Sequence, residues 1–422
     1  MSELAERPVV VAPEGTRGRW AWVRGQLREP YAGLFASQLL VGGVALVANV
    51  LMVRALTPSH RGEVALLLQV VYLSTQVLLL GTERSFVAAY HGIAPAAGVR
   101  AYARLLLVPG VVGLVAAAGF AVMGPRHLNP GAVVVGLIAA YAFVETGGLA
   151  IRSIAIAAGR VTDFLVLRIV EAVLLLSLLV ALYLGGAAQP ELWILGYLIA
   201  GILPTGAYLV LWMRGPRRPT VDQNRLVRRE GIALFPAALS NMAMLRVDRL
   251  ALPAIASTSA LGLYASVSTM TELLAWPVRA YADSRLGRWR VAHHEGTLRS
   301  RPLVVAATVY CLVVAPIAAA GLFLLIVPVF GPDYAPAKGI VVPLVAAAGL
   351  YAVSRVSLGL LIAKGRGALV SAAEITGFAV SFAGYLLLIP PFGIVGAAYG
   401  SLIGYGACLV FALAANAVRR PA

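Results

Sequence analysis

The sequence predicts an all-α, polytopic membrane protein with about twelve transmembrane helices in two parallel six-helix lobes. Three observations carry this reading: an apolar surplus, apolar runs of spanning length, and the segregation of arginine to alternate connections. Of 422 residues, 60% are hydrophobic and 12% charged, whereas a soluble domain has roughly 45–50% apolar and about 25% charged residues. So large a surplus cannot be hidden from water in a core, so it must face lipid. The formal charge of +16 would point to nucleic acid in a soluble protein. Here the bases lie between apolar runs, so the bilayer surface accounts for them and no nucleic-acid partner is expected.

The elements follow in order. A helix needs about 20 apolar residues to cross a roughly 30 Å hydrocarbon core. Residues 1–30 are polar, hold Arg7, Arg17, Arg19, Arg24 and Arg28, and read as a cytoplasmic tail. The first apolar run, 31–53, exceeds a signal-peptide core of about 7–15 residues and reads as a retained helix. Runs at 63–90, 101–123, 131–157, 161–185 and 190–213 complete an N-lobe over 31–213. A basic cytoplasmic linker is expected at 214–230. The C-lobe, 231–417, has spans at 231–255, 258–281, 303–330, 338–363, 367–389 and 393–417, with a second long loop at 282–302 and a short cytoplasmic end at 418–422. Gly, Pro and charge clusters punctuate the runs. Pro236, Pro277, Pro316 and Pro343 fall inside them, where proline frees a carbonyl and kinks a helix.

Arginine orients the chain. The tail, Arg100, Arg104, Arg152, Arg160, Arg214 through Arg229, Arg285 through Arg301, Lys364, Arg366, Arg419 and Arg420 fall on one side; Arg54, Arg61, Arg126 and Lys338 fall on the other. The rich side is cytoplasmic by the positive-inside rule. The separation holds only for an even number of spans with both termini cytoplasmic.

The two lobes repeat. Pro190, Ile194, Gly196, Gly206, Ala207, Leu209 and Val210 match Pro390, Ile394, Gly396, Gly406, Ala407, Leu409 and Val410 at an offset of 200. Gly62 and Ala65 match Gly262 and Ala265 at the same offset, and Ile156 to Arg160 match Ile362 to Arg366 at 206. Six spans per repeat is even, so both halves enter the membrane in the same direction. Parallel repeats of this kind place a site near the midplane between them.

Ionisable groups at membrane depth are costly and face a cavity or a partner. Arg168 and Glu171, three apart on one helical face, read as a local ion pair. Arg246 and Arg249 also share a face, while Asp248 points about 100° from Arg249. One carboxylate cannot neutralise both guanidiniums, so another helix's Glu, water or an anionic ligand must. Arg355 has no acid beside it in its own helix; Glu145 and Glu272 are its expected partners, or carriers of coupling protons. Arg84, beside Glu83, ends the second span. The substrate-binding candidates are thus Arg246, Arg249, Arg355 and Arg84, and the coupling or cavity acids are Asp248, Glu145 and Glu272. Guanidiniums bind phosphate bidentately, so an arginine-rich cavity suits an anionic, phosphorylated cargo.

Catalytic signatures are missing. His60, His91, His127, His293 and His294 sit in expected loops without metal-ligand spacing, and Cys311 and Cys408 lie far apart in apolar runs. No phosphate-cradling loop or nucleophile elbow occurs. No enzyme activity, metal or cofactor is expected, with proton or sodium coupling left open.

Several stretches carry a family resemblance. They are Leu56-Thr-Pro with Arg61-Gly62-Glu, Asp248-Arg-Leu-Ala-Leu followed by Leu261-Gly-Leu-Tyr264-Ala, Phe330-Gly-Pro-Asp-Tyr334-Ala-Pro-Ala, and Pro391-Phe-Gly-Ile-Val-Gly-Ala-Ala398. Together with the paired six-helix halves they resemble the multidrug/oligosaccharidyl-lipid/polysaccharide exporter superfamily, and within it the Wzx-type oligosaccharide flippases. One departure is that the Ala after Tyr264 follows it directly. The resemblance implies alternating access, a polyprenyl-diphosphate-linked oligosaccharide flipped from the inner to the outer leaflet, and partners in membrane lipid and in polysaccharide polymerase and chain-length regulator proteins. Its rivals are a multidrug/cation antiporter of the same superfamily and a peptidoglycan-precursor flippase. Many of the antiporters use an acid in the first helix, and residues 31–53 contain none. A non-transporting scaffold would not need unpaired arginine at depth.

Overall fold

A computed structural model of the chain describes residues 30–123, 131–215 and 221–418, without the side chains of 30–39, Arg84, Leu234, Ala237, Ala238 and Asn241. The tail, Arg126, His127, Arg217, Arg218, Arg419, Arg420 and the Arg84 side chain lie outside the described residues. Every regular element among the described residues is helical.

Helix α1 (Pro30–Ala55) forms the first span; α2 (Pro58–Leu79) and the short α3 (Thr82–Ala89) share the second. Helices α4 (Pro95–Met123), α5 (Ala132–Ala157), α6 (Val161–Leu184) and α7 (Pro190–Met213) complete the first half. In the second half α8 (Asn224–Arg246) and α9 (Asp248–Ile255) share one span, followed by α10 (Thr258–His294) and α11 (Ser300–Leu325). A π-turn at Ile326–Phe330 and a 3-10 segment at Pro332–Ile340 lead into α12 (Val341–Ala363). Finally, α13 (Gly367–Ala417) breaks at Gly393, with φ 54° and ψ −127°, so its two parts are the last two spans. Eight elements are long and apolar enough to cross a bilayer on length and composition alone, α13 among them. The spans missing from that set are α1, whose described apolar run is Leu40–Ala55, and α8–α9 and α10, which carry charge inward.

Three boundaries differ from the sequence expectation, each for a local reason. The second span begins at Pro58 rather than 63, because Thr57 caps the helix and proline suits its first position. The linker is shorter than 214–230: the Tyr90 hydroxyl accepts from Gln223 N at 2.9 Å and donates to Asn224 Oδ1 at 2.8 Å, fixing the start of α8. The loop expected at 282–302 is largely helix, because Trp289, 5% exposed, anchors the extension of α10 in the core around α12. His293 and His294 are therefore helical, as is His60.

The outer surface is apolar. Leu107, Val111 and Val115 on α4, and Leu312, Val313 and Ile317 on α11, are exposed, as lipid contact requires. Inside the first half α1 packs on α6, and α5 on α4 and α7; in the second half α12 is central, against α10, α11 and α13. The largest contact between the halves is α2 with α10.

That contact is symmetric. Thr57 Oγ1 accepts from His60 N at 3.4 Å, and Ser257 Oγ accepts from Ala260 N at 3.1 Å, so equivalent residues cap α2 and α10. Gly62 and Gly262 then meet: a Cβ on either would lie 3.0 Å from the other's backbone nitrogen. It would also overlap the carbonyl oxygen of Thr258 or Pro58, respectively. Equivalent glycines at equal depth are what two parallel repeats related by an axis along the membrane normal produce. The junction lies at the arginine-poor end, where Ser59 Oγ and Thr258 Oγ1 are 3.2 Å apart and Arg54 Nη2 donates to Pro328 O at 2.6 Å. At the arginine-rich end a second close approach uses Leu80 (φ 47°) and Gly81 (φ 72°), where α3 turns away and α8 packs in; a Cβ on Gly81 would overlap Gly231 O.

Candidate functional site

Side chains that cannot face lipid collect between the halves around a cavity of about 280 Å³. Its wall draws on α1, α5 and α6 from the first half and α8, α9, α10, α12 and the last part of α13 from the second. Arg152, Arg168, Arg246 and Arg279 line it against only two carboxylates, Asp248 and Glu272. Aromatic rings supply much of the remainder: Phe164, Tyr264, Trp276, Tyr351 and Tyr405. The Tyr351 and Tyr405 ring centroids are 5.3 Å apart.

The charged centre is built at the junction of α8 and α9. Arg246 is the last residue of α8 and Asp248 the first of α9; Val247 between them keeps helical angles (φ −68°, ψ −28°), so the two side chains, about 200° apart around the helix, leave on different faces. Glu272 of α10 is the acid that answers the pair of arginines. Its Oε1 accepts from Arg246 Nη1 at 3.4 Å and from Arg249 Nη2 in a closer contact. Arg249 Nη2 also donates to Ser268 Oγ at 3.2 Å. Asp248 is engaged elsewhere, accepting from Arg249 N at 2.8 Å and from the Tyr264 hydroxyl at 2.7 Å. The Tyr264 hydroxyl also contacts Ser401 Oγ at 3.1 Å, which meets the Tyr385 hydroxyl at 2.9 Å. This chain ties α9 to α10 and to both parts of α13.

The remaining candidates fall in different places. Arg249 sits behind the cavity wall, 9% exposed. Glu145 is not among the lining residues; it lies on α5 close enough to act on Tyr72, Tyr141 and Arg168. Arg168 pairs with Glu171 at 2.9 Å, the local bridge their spacing predicts. Arg355 differs from its expectation: it is not among the lining residues, and its partner is Glu374 at 3.0 Å rather than Glu145 or Glu272. The two face each other across α12 and α13, a pairing that spacing along one helix cannot reveal. Arg279 meets Asp283 at 3.9 Å with both side chains about half exposed, 46% and 58%, a geometry worth little in energy.

Sequence reasoning missed the aromatic wall and Ser268. Tyr264 was visible only as part of a fold signature, and Trp276, Tyr351 and Tyr405 read as ordinary apolar positions. Arg152 read as an interface arginine because it lies near the arginine-rich end of its helix.

No protein-family model matches the sequence, and no curated protein does. Solved structures match in fold. A multidrug resistance MATE family transporter of the MOP superfamily, in an inward-facing conformation, aligns with TM-score 0.65 at 15% identity, covering 89% of this chain and 94% of that one. An outward-facing MATE structure aligns with TM-score 0.63 at 14% identity, covering 92% and 95%. The lipid II flippase MurJ, in an inward closed conformation, aligns with TM-score 0.65 at 11% identity, covering 91% and 87%. The chain has the fold that these MATE transporters and the flippase MurJ share.

Proposed function

We propose that this chain is a membrane transporter that flips a polyprenyl-diphosphate-linked oligosaccharide from the inner to the outer leaflet by alternating access. The observation that carries this reading is the cavity between the repeats, where four lining arginines face two carboxylates. Guanidiniums keep their charge and fit phosphate oxygens two at a time. Arg168 is held by Glu171 and Arg279 by Asp283, so the groups that favour a diphosphate are Arg246 and Arg249, two guanidiniums that share the one carboxylate of Glu272. The MATE structures are described as multidrug transporters and MurJ as a lipid II flippase; the charge balance favours the lipid-linked class here. The aromatic wall supports the sugar, since tyrosine and tryptophan offer an apolar face with a polar tip. At about 280 Å³ the space takes a headgroup and leaves the polyprenyl chain in the bilayer.

In this reading the arginine-rich end is cytoplasmic in the inner (plasma) membrane, as the positive-inside rule requires, and both termini are cytoplasmic. Arg246 contacts the diphosphate, with Arg249 behind it. Coupling to a proton or sodium gradient acts through Asp248, Glu272 or Glu145, the acids at or beside the cavity. The polymerase and the chain-length regulator would receive the product on the other side.

A binding experiment separates the cargo classes. Purified protein in nanodiscs is titrated with a short-chain polyprenyl diphosphate and, separately, with a cationic dye. Tighter binding of the diphosphate, lost in Arg246→Gln and strengthened in Glu272→Gln, supports the reading. Preference for the dye, lost in Glu272→Gln, replaces it with the antiporter.

A further inference from the structure

Arg61 is the most unusual charge in the molecule. It lies in the first turn of α2, at the arginine-poor end, and is 4% exposed. Its Nη2 donates to Asn49 Oδ1 of α1 at 2.8 Å. Its Nε and Nη1 have no hydrogen-bond partner, and neither has Nε of Arg249. No carboxylate pairs with Arg61 among the described residues; the ionisable groups close enough to act on it are Tyr197, Tyr334 and Arg249. A buried guanidinium without a counter-charge is destabilising, and Arg249 offers it no relief: it is a like charge whose one carboxylate partner, Glu272, is shared with Arg246. Vacant donors on both, buried and acting on one another, are the chemistry of a place that takes an anion.

The position gives the site its use. Asn49, which holds Arg61, donates through Nδ2 to Ser266 O of α10 at 2.9 Å, so the link crosses from the first half to the second. Gly62, the next residue, makes the closing contact with α10. Parting the halves at this end would break the Asn49–Ser266 bond and uncover Arg61. Along the helix axes Arg249 lies about 9 Å and Arg61 about 4.5 Å from the arginine-poor ends of their helices, at roughly 1.5 Å per residue. Arg246, Arg249 and Arg61 thus descend in steps from the cavity toward that end.

We propose that Arg61, with Arg249, forms a second phosphate-binding subsite that is sealed while the halves meet at Gly62 and Gly262, and takes the phosphate from the cavity when they part. This rests on the flippase reading of the cavity. The phosphate is either that of the lipid headgroup or a free anion from the solution at that end.

The test uses full-length protein in nanodiscs carrying Cys311→Ser and Cys408→Ser, with Ser59→Cys and Thr258→Cys added so that a disulfide holds the junction shut. Inorganic diphosphate and a short-chain polyprenyl diphosphate are titrated into the reduced and oxidised forms. With the junction free, Arg61→Gln is expected to weaken binding at least tenfold and Arg61→Lys, which keeps charge but loses the fork, by less. With the junction locked, the parent protein and both variants are expected to bind alike. Preference for the lipid assigns the subsite to the headgroup; equal affinity for both probes assigns it to a free anion. If the free-junction parent binds diphosphate while Arg61→Gln and Arg61→Lys bind as well as it does, the subsite is wrong and the cavity reading stands. If the dependence on Arg61 persists under the lock, the subsite is also wrong. If the parent binds neither probe, the diphosphate reading itself falls. Should Arg61→Gln fail to fold, the Arg61→Lys comparison carries the same decision.

Discussion

Gly62→Ala should force the arginine-poor end open. A methyl group at Gly62 would overlap the carbonyl oxygen of Thr258, and one at Gly262 that of Pro58. Both obstacles are backbone atoms in the first residue of a capped helix, so no side chain can rotate away. Overpacking of this kind costs ~1–3 kcal/mol. The clash exists only while the halves meet, so the whole cost falls on the closed form. As a coupling energy, ~1–3 kcal/mol is a shift of about 5- to 150-fold in a two-state equilibrium. Symmetry makes the expectation stricter: Gly262→Ala should act equally, and the double variant should resemble either single one, because one clash already opens the shared contact. The assay is the rate of disulfide formation between Ser59→Cys and Thr258→Cys, whose native hydroxyls lie 3.2 Å apart. Each glycine variant should slow cross-linking at least about fivefold. Folded protein whose cross-linking rate is unchanged by both substitutions would refute the argument that this contact is the seal.

Other perturbations follow the same logic. Glu272→Gln leaves Arg246 and Arg249 without their shared carboxylate; removing one partner of a buried pair costs ~3–5 kcal/mol. Since the Glu272 side chain is 34% exposed, solvent screening reduces the expected loss to ~1–3 kcal/mol, readable as a lowered unfolding temperature in nanodiscs. Arg355→Met removes the guanidinium paired with Glu374, whose side chain is 8% exposed, and should cost ~3–5 kcal/mol. Adding Glu374→Leu should recover most of that loss and restore binding, whereas binding that stays lost in the stable double variant would show that Arg355 touches the cargo. Tyr90→Phe removes the hydroxyl that holds Gln223 and Asn224. At ~0.5–1.5 kcal/mol per hydrogen bond, trypsin should cut faster at Arg225 and Arg228; an unchanged rate would mean that α8 is fixed without it.

Much of the fold was legible because a bilayer imposes a length on apolar runs and a side on arginine. The twelve spans and the even count follow from those two constraints, and the repeat from residue matches at a fixed offset of 200. What the sequence hid depends on contacts between distant segments. The break at Leu80 and Gly81 lies just before Glu83 and Arg84, which read as the end of the span; the sharp turn there is explained by the approach of Gly231. The extension of α10 past 281 reads as a loop because Arg285, Arg288 and Arg290 interrupt its apolar residues, yet Trp289 holds it as helix. In the site, Asp248's inability to neutralise two arginines was readable from helical geometry, but the identity of the answering acid, Glu272, needed the packing of α9 on α10. Arg61 read as a residue of a connection. Thr57 and Pro58, a helix cap followed by proline, were the signal that it lies inside a helix instead.

The most direct measurement is movement of the cargo. Proteoliposomes are loaded with a labelled polyprenyl-diphosphate oligosaccharide in both leaflets, and an impermeant glycosidase cleaves what is exposed. The account predicts that the cleavable fraction rises from about half toward completion, and that Arg246→Gln or a closed Ser59→Cys–Thr258→Cys disulfide holds it at half. A fraction that stays at half with the active parent protein under a proton or sodium gradient, while a cationic dye is exchanged, would contradict it.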